Sequence, residues 1–308
     1  MKKINFLLLS IGILSCAACT RLTDDAWIST ATQSAEQGRY VLLTPAYYRN
    51  APEGGAIEVR FYESQAIYAI SESDPQFSAY KQLLDATIQG AKPVHVYLTS
   101  EREPIVSIAA LEKATEQEIQ VVQQARSEIP EPQNVKKIIP SMEVLNEIFT
   151  FCQQQNCALG TATIDYCIPF QYVVDGCYAR AHKMRQIMID QFGYSCEKVF
   201  SYEGPSGYLA VDAGDCCVYW WYHVAPLVTV QMPHGIKKFV VDPSMFDEPV
   251  SIETWTSAQE NLDCSPYADF GYTDITPGQI YAPGGSMDNF YSSTNWTLQV
   301  YADLVTCP

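Results

Sequence analysis

Cys177 lies in the run Val174-Asp175-Gly176-Cys177-Tyr178-Ala179-Arg180-Ala181-His182-Lys183-Met184, where a glycine breaks the chain just ahead of a helix-forming stretch. This spacing delivers a thiol to the first turn of a helix. Unpaired backbone N–H groups and the positive end of the helix dipole there favour thiolate over thiol. Such a sulfur acts as a nucleophile when a histidine from another part of the fold serves as its base.

The chain has four histidines. His95 belongs to the cysteine-free N-terminal part. His182 is on the same predicted helix as Cys177, five residues on and about 140° round, so it faces away from the thiol. His234 occupies the turn Met232-Pro233-His234-Gly235. His223 remains, inside the β-prone run from Cys217 to Val230, where Trp220, Trp221 and Tyr222 screen an imidazole from water. The next strand runs from Ile236 to Asp242 and is stopped by Pro243. With Pro233-His234 as a two-residue hairpin loop, Met232 faces Gly235, Ala225 faces Asp242 and His223 faces Ser244. Asp242 is then a same-face diagonal neighbour of His223, within reach of the ring.

Each residue also has an ordinary reading. A cysteine after glycine is commonly a half-cystine, a histidine in an aromatic strand a satisfied core residue, and Asp-Pro a turn. Together, a helix-borne Cys177 followed by His223 and Asp242 on adjoining strands matches the order and placement of papain-like and transglutaminase-like sites.

Lys2-Lys3 followed by the apolar run Ile4 to Leu14 predicts a signal peptide over 1–19, too short for a permanent span, so the protein is expected to be exported. Ile13-Leu14-Ser15-Cys16 reads like a lipobox, and Cys19 follows small residues. Cys16 and Cys19 are therefore lipidation candidates, against plain cleavage and release. A net charge of −16 without a sizeable Lys/Arg cluster argues against nucleic acid as a partner.

No cysteine falls between Thr20 and Phe151, and nine fall from Cys152 to Cys307. In an exported protein most of these should pair. Setting Cys177 aside leaves an even number, enough for up to four disulfides. Adjacent Cys216 and Cys217 point to opposite faces of a strand and so take different partners. Ligand spacing for a structural metal is lacking in the mature region.

The polar, proline-containing stretch Ser127–Asn134 predicts the domain break. Before it, strands are expected at Arg39–Thr44, Ala56–Tyr62 and Val94–Leu98. A helix is expected over Pro75–Gln89 with Asp74 as N-cap, and a charged helical pattern over Ile108–Arg126. After it come a helix over Ser141–Gln154, the Cys177 helix running to a Gly193 stop, then strands and turns. The expected fold class is α+β: a small α+β unit over 20–135, then a transglutaminase-like or papain-like domain over 136–308 with the cysteine helix packed on an antiparallel sheet.

The sequence resembles the bacterial protein-glutaminase family. The resemblance rests on Asp175 to Ile187, Cys196-Glu197-Lys198, Cys216-Cys217-Val218 leading through Trp220 to Tyr222-His223-Val224-Ala225, and Asp242-Pro243-Ser244-Met245-Phe246. It extends from about Ile138 to about Phe246 and includes Cys157 and Cys167. It implies a preproenzyme with a transglutaminase-like catalytic domain that hydrolyses protein-bound glutamine to glutamate and ammonia, with Cys177, His223 and Asp242 as triad. It also implies that residues 20–135 are an inhibitory propeptide, removed by an activating protease between about Ser127 and Ile138.

The chemistry expected is a Cys177 thioester hydrolysed with His223 as base and Asp242 as orienting acid, with the Cys177 N–H as oxyanion donor and no cofactor. Substrates would be proteins or peptides bearing glutamine, met by aromatic walls from Trp220, Trp221 and Tyr222. The same triad suits a transglutaminase or a cysteine endopeptidase. A surface binding lipoprotein, rich in tyrosine, is the non-enzymatic alternative.

Overall fold

The computed structural model describes residues 40–99, 105–124 and 134–307. The signal segment, Cys16, Cys19 and most of the predicted link at 127–134 lie outside these residues.

The N-terminal part contains β1 (Tyr40–Leu43), β2 (Pro45–Asn50), β3 (Ala56–Phe61), β4 (Ser64–Ser71), α1 (Phe77–Ile88), β5 (Val94–Leu98), β6 (Ile105–Lys113) and α2 (Glu116–Gln124). Strand alternation explains β3. Ile57, Val59 and Phe61 enter a core with Leu84, Val94, Val96 and Leu111, while Glu58 and Arg60 point to the opposite face. That second face is buried too, with Arg60 fully enclosed.

Two expectations are corrected here. The charged helical pattern over Ile108–Arg126 is split: residues up to Lys113 are strand β6, and helix α2 begins at Glu116. Helix-forming Ala109, Ala110 and Leu111 become strand because β6 fills the slot between β5, antiparallel, and β4, parallel. Tertiary pairing overrides propensity there. Helix α1 starts at Phe77 with Gln76 at its N-cap, while Asp74 Oδ1 accepts from Gln76 N at 2.7 Å in the preceding turn.

The C-terminal part runs β7 (Ile138–Ile139), α3 (Met142–Gln154), α4 (Cys177–Phe192), β8 (Glu197–Glu203), β9 (Leu209–Asp212), β10 (Cys217–Trp220), β11 (Tyr222–Met232), β12 (Gly235–Val240), α5 (Ile252–Ser257), β13 (Phe270–Pro277), β14 (Ile280–Ala282), β15 (Ser286–Met287) and α6 (Ser292–Tyr301). Ser141 caps α3, its Oγ accepting from Val144 N at 3.3 Å. A five-stranded sheet has the order β12-β11-β8-β13 with β7 alongside β11. Helix α4 packs against β11 and α6. The α+β class, with the cysteine helix lying on an antiparallel sheet, is what the structure has.

The two parts share a sheet. Strand β10 pairs with β4 through Trp220 opposite Ala66, so eight strands in all join β9 and β10 to the N-terminal strands. Three disulfides, Cys157–Cys167, Cys216–Cys307 and Cys217–Cys264, lie in the C-terminal part, and Cys216 and Cys217 take different partners as expected. Cys152, Cys177 and Cys196 are buried and outside these three bonds. Among the described residues no helix is long and apolar enough to cross a membrane.

Candidate active site

Helix α4 begins at Cys177 because Gly176 sits in the left-handed region at φ 85°. A side chain at Gly176 would be strained, and its Cβ would lie 2.9 Å from the Tyr301 ring. Arg180, one turn on, donates from Nη1 to the carbonyls of Tyr172 and Asp175, both at 2.7 Å, and so fixes the entering loop. The Cys177 sulfur accepts from the Val224 N–H, placing it against β11 one residue beyond His223.

The hairpin register is the expected one, from Met232 opposite Gly235 to Leu227 opposite Val240. The ladder stops there, however, two residues short of Asp242. Beyond Val241, whose N–H still reaches Pro226 O at 3.0 Å, the chain turns, and Met245 N and Phe246 N bond back to Asp242 O. Ser244 therefore does not pair with His223 in the sheet, as the extended register would have it. Its hydroxyl donates to Asp242 Oδ1 at 2.5 Å instead.

His223 Nε2 donates to Asp242 Oδ2 at 2.8 Å. That bond leaves Nδ1 as the lone-pair nitrogen of the neutral ring, and Nδ1 is buried without a hydrogen-bond partner among the described residues. Trp220 stacks on the imidazole with centroids 4.4 Å apart, and Trp255 lies 5.4 Å from it. Trp255 Nε1 also donates to Asp242 Oδ2 at 2.9 Å. Cys177, His223 and Asp242 thus gather at one end of α4.

Burial dominates the electrostatics. It pushes the Cys177 thiol well up, despite the Arg180 charge nearby, and pushes the His223 imidazole down against the pull of Asp242. For Asp242, burial acts upward but is outweighed by His223 and by the Ser244 and Trp255 hydrogen bonds, which hold the carboxyl at about 2. Both ring nitrogens of His182 are engaged elsewhere. Its Nε2 donates to Asp288 O at 3.1 Å and its Nδ1 accepts from Lys198 Nζ at 2.9 Å. Burial pushes that lysine down to about 7.

The N-terminal part closes the site. Gln65 Oε1 accepts from the Cys177 backbone N–H at 3.2 Å, occupying the expected oxyanion donor. Trp221 Nε1 donates to Ser64 O at 2.6 Å, and Tyr222 OH donates to Tyr62 O at 3.4 Å. Of the three expected aromatic walls, Trp221 and Tyr222 meet this covering segment, whereas Trp220 supports the imidazole and bonds Val173 O at 2.9 Å. Sequence reasoning missed Gln65, Ser244 and Trp255: Gln65 acts across the fold, and Ser244 and Trp255, although they follow Asp242 closely in the chain, belong to no motif that marks a bond to its carboxylate.

A family model described as Glutaminase matches residues 145–259, the stretch that contains Cys177, His223 and Asp242. The chain is also similar to the crystal structure of pro-protein-glutaminase, at 32% identity and a TM-score of 0.76 over 86% of this chain and 93% of that one. This chain belongs to the protein-glutaminase family. A crystal structure of protein-glutaminase is 40% identical, with a TM-score of 0.52, and covers 56% of this chain and 93% of that one. The NMR structure of protein-glutaminase from Chryseobacterium proteolyticum gives 40% identity, a TM-score of 0.51 and the same coverages. No curated protein matches the chain. Within the family, the pro-form spans both parts of this molecule, and the shorter form spans a share close to that of residues 136–308.

Proposed function

We propose that this protein is an exported protein-glutamine deamidase made as a zymogen, with residues 20–135 as a removable inhibitor and residues 136–308 as the catalytic domain. Membership of the protein-glutaminase family and likeness to a pro-form support the activity and its mode of synthesis. Three disulfides fit an oxidising compartment.

The observation that carries the chemistry is the division of labour on the imidazole. Asp242 holds Nε2, while the lone-pair nitrogen Nδ1 is left on the strand that meets the Cys177 sulfur. Nδ1 takes the thiol proton as sulfur attacks the γ-carboxamide carbon of a glutamine, then passes it to the departing ammonia. Water, deprotonated by the same nitrogen, hydrolyses the thioester. The Cys177 N–H stabilises the oxyanion, and Asp242 stabilises the imidazolium through its low-lying ionisation. Once residues 62–65 depart, Trp221 and Tyr222 become walls for a protein substrate. Loss of that cover also returns water to the site, which lowers the desolvation that keeps the thiol protonated.

The test is ammonia release from casein after cleavage within 127–138. Cys177→Ala and His223→Ala should lose activity on the order of 10⁴- to 10⁶-fold, and Asp242→Asn on the order of 10³- to 10⁴-fold. Full activity in Cys177→Ala sinks the proposal. Cross-linked casein without ammonia would mean a lysine amine resolves the thioester, and new N-termini in casein would mean an endopeptidase.

A further inference from the structure

Gln65 is fully buried on β4, and each of its polar atoms is engaged by the catalytic part. Its backbone N–H donates to Asp175 Oδ1 at 3.2 Å, and its carbonyl accepts from Trp221 N at 3.1 Å. Its side-chain oxygen takes the Cys177 N–H at 3.2 Å. Its Nε2 donates to the carbonyls of Val173 at 2.7 Å and Val174 at 3.3 Å. One donor faces Oε1 and two acceptors face Nε2, so chemistry fixes which way the amide points. Ser64 adds to the seat, its hydroxyl donating to Asp175 Oδ2 at 2.8 Å.

This is more than a plug. The carboxamide oxygen sits on the backbone N–H of the nucleophile, where an oxyanion would be stabilised. The amide nitrogen sits in a carbonyl-lined seat suited to departing ammonia. We propose that Gln65 is an intramolecular substrate, deamidated once by its own Cys177, and that the glutamate side chain so formed loosens the grip of the N-terminal part. The proposal rests on the reading of Cys177 and His223 given above.

The step balances without a co-reactant other than water. Cys177 Sγ bonds to Gln65 Cδ as the Cδ–Nε2 bond breaks, and the thiol proton travels through His223 Nδ1 to Nε2, which leaves as ammonia. Water then adds its oxygen to Cδ and returns a proton to the sulfur, giving a glutamate side chain at this position and free Cys177. The product suits the seat poorly. The group facing the Val173 and Val174 carbonyls changes from a two-proton donor into an acceptor, inside a buried site that already holds the Asp175 carboxylate. The burial that keeps the Cys177 thiol protonated in the closed form makes this a slow, single-turnover step.

The experiment follows the intact chain, with proteolysis blocked, by peptide mass spectrometry over time. Wild type should convert the Gln65 peptide to a form about 1 Da heavier, or show Cys177 and Gln65 joined with loss of about 17 Da, the acyl stage. Cys177→Ala should show neither. In the Cys177→Ala background, with the chain nicked within 127–138, Gln65→Glu should weaken retention of the N-terminal fragment at least tenfold. Equal conversion in Cys177→Ala, or equal retention with Gln65→Glu, overturns the proposal. So does an unchanged Gln65 in a preparation that releases ammonia from casein once cleaved, and there the catalytic reading survives. An unchanged Gln65 together with no casein activity after cleavage removes both.

Discussion

Residues 40–124 contain no cysteine and fold around Ile57, Val59, Phe61, Leu84 and Val96, whereas residues 134–307 carry three disulfides around the helix that bears Cys177. The contrast extends to what each part does with polar groups. In the C-terminal part, the buried Asp242 carboxylate is met by three side chains of its own domain. In the N-terminal part, the polar face of β3 is completed by the other domain. Arg60 bonds Glu58 at 2.7 Å and reaches Glu203 of β8 at 2.8 Å, with Arg49 alongside at 3.2 Å from Glu203. Charges buried this way regain their hydration when the parts separate, so the network gives a specific fit with little net attraction. The charged face of β3 is thus completed across the interface, whereas the Asp242 site is completed within the C-terminal part.

Removing one member of the docking network is the harshest way to break that contrast. Arg60→Met leaves the Glu58 and Glu203 carboxylates buried with Arg49 as their remaining cation and the Tyr47 hydroxyl on Glu203, and it should weaken docking by about 3–5 kcal/mol. Fragment retention after nicking within 127–138 reads this directly. Replacing Glu203 by Leu in the same chain should recover part of the loss, because fewer charges are then stranded. Unchanged retention with Arg60→Met would show that the interface is held by the β4–β10 pairing and the Gln65 seat instead.

Disulfide loss should fall on one part alone. Cys217→Ser with Cys264→Ser opens a bond spanning 47 residues, and it should cost about 2–4 kcal/mol in denaturant unfolding of residues 134–307. Amide exchange in β3, β5 and α1 should stay as in wild type. Equal loosening of both parts would mean that the shared sheet makes them one cooperative unit.

The C-terminal part was the more legible in sequence for the same reasons. Gly176 ahead of Cys177, the Pro233-His234 turn and the aromatic strand are local signals, and they fixed the helix start and the hairpin register as far as Val240, two residues ahead of Asp242. What stayed hidden acts over distance. Alternation in Glu58-Val59-Arg60-Phe61 reads as a strand with one solvated face, yet that face is an interface. Ile108–Lys113 has helical composition and becomes strand only because a slot between β5 and β4 awaits it. Gln65 lies 112 residues from Cys177, and no spacing rule reaches so far. The domain assignment reached from the sequence remains the one proposed, and so does cleavage between about Ser127 and Ile138.

Acid should also distinguish the two parts. The Asp242 carboxyl is held at about 2, below its unfolded value near 4, so its contribution is fully present above pH 4 and is lost as pH falls towards 2. His223 is pushed down by burial, so folding favours its neutral form, and that contribution also falls as pH drops below the usual imidazole range. Both act in the same direction, and the Asp242 share is about 2 kcal/mol. Unfolding of the C-terminal part measured from pH 7 to pH 2 should show the loss below pH 4. Asp242→Asn should flatten that limb, and an unchanged limb would mean that other carboxylates set it.

The smallest effect tests whether the C-terminal part is preorganised rather than merely stable. Trp255 donates to the Asp242 oxygen that also accepts from His223, so it acts on the imidazole through Asp242 as a positioning residue. Trp255→Phe keeps an aromatic ring near the imidazole and removes one donor to the carboxylate. With Ser244 and His223 still bonded to Asp242, the rate should fall about threefold to tenfold, or about 1 kcal/mol, through kcat with KM unchanged. The acid limb of activity should move to higher pH, because the carboxyl is then less well held as an anion. Trp220→Phe is the control: its ring stacks on His223 without bonding Asp242, so it should alter the rate and leave the limb in place. If both variants shift the limb equally, ring packing rather than the indole N–H tunes the carboxylate.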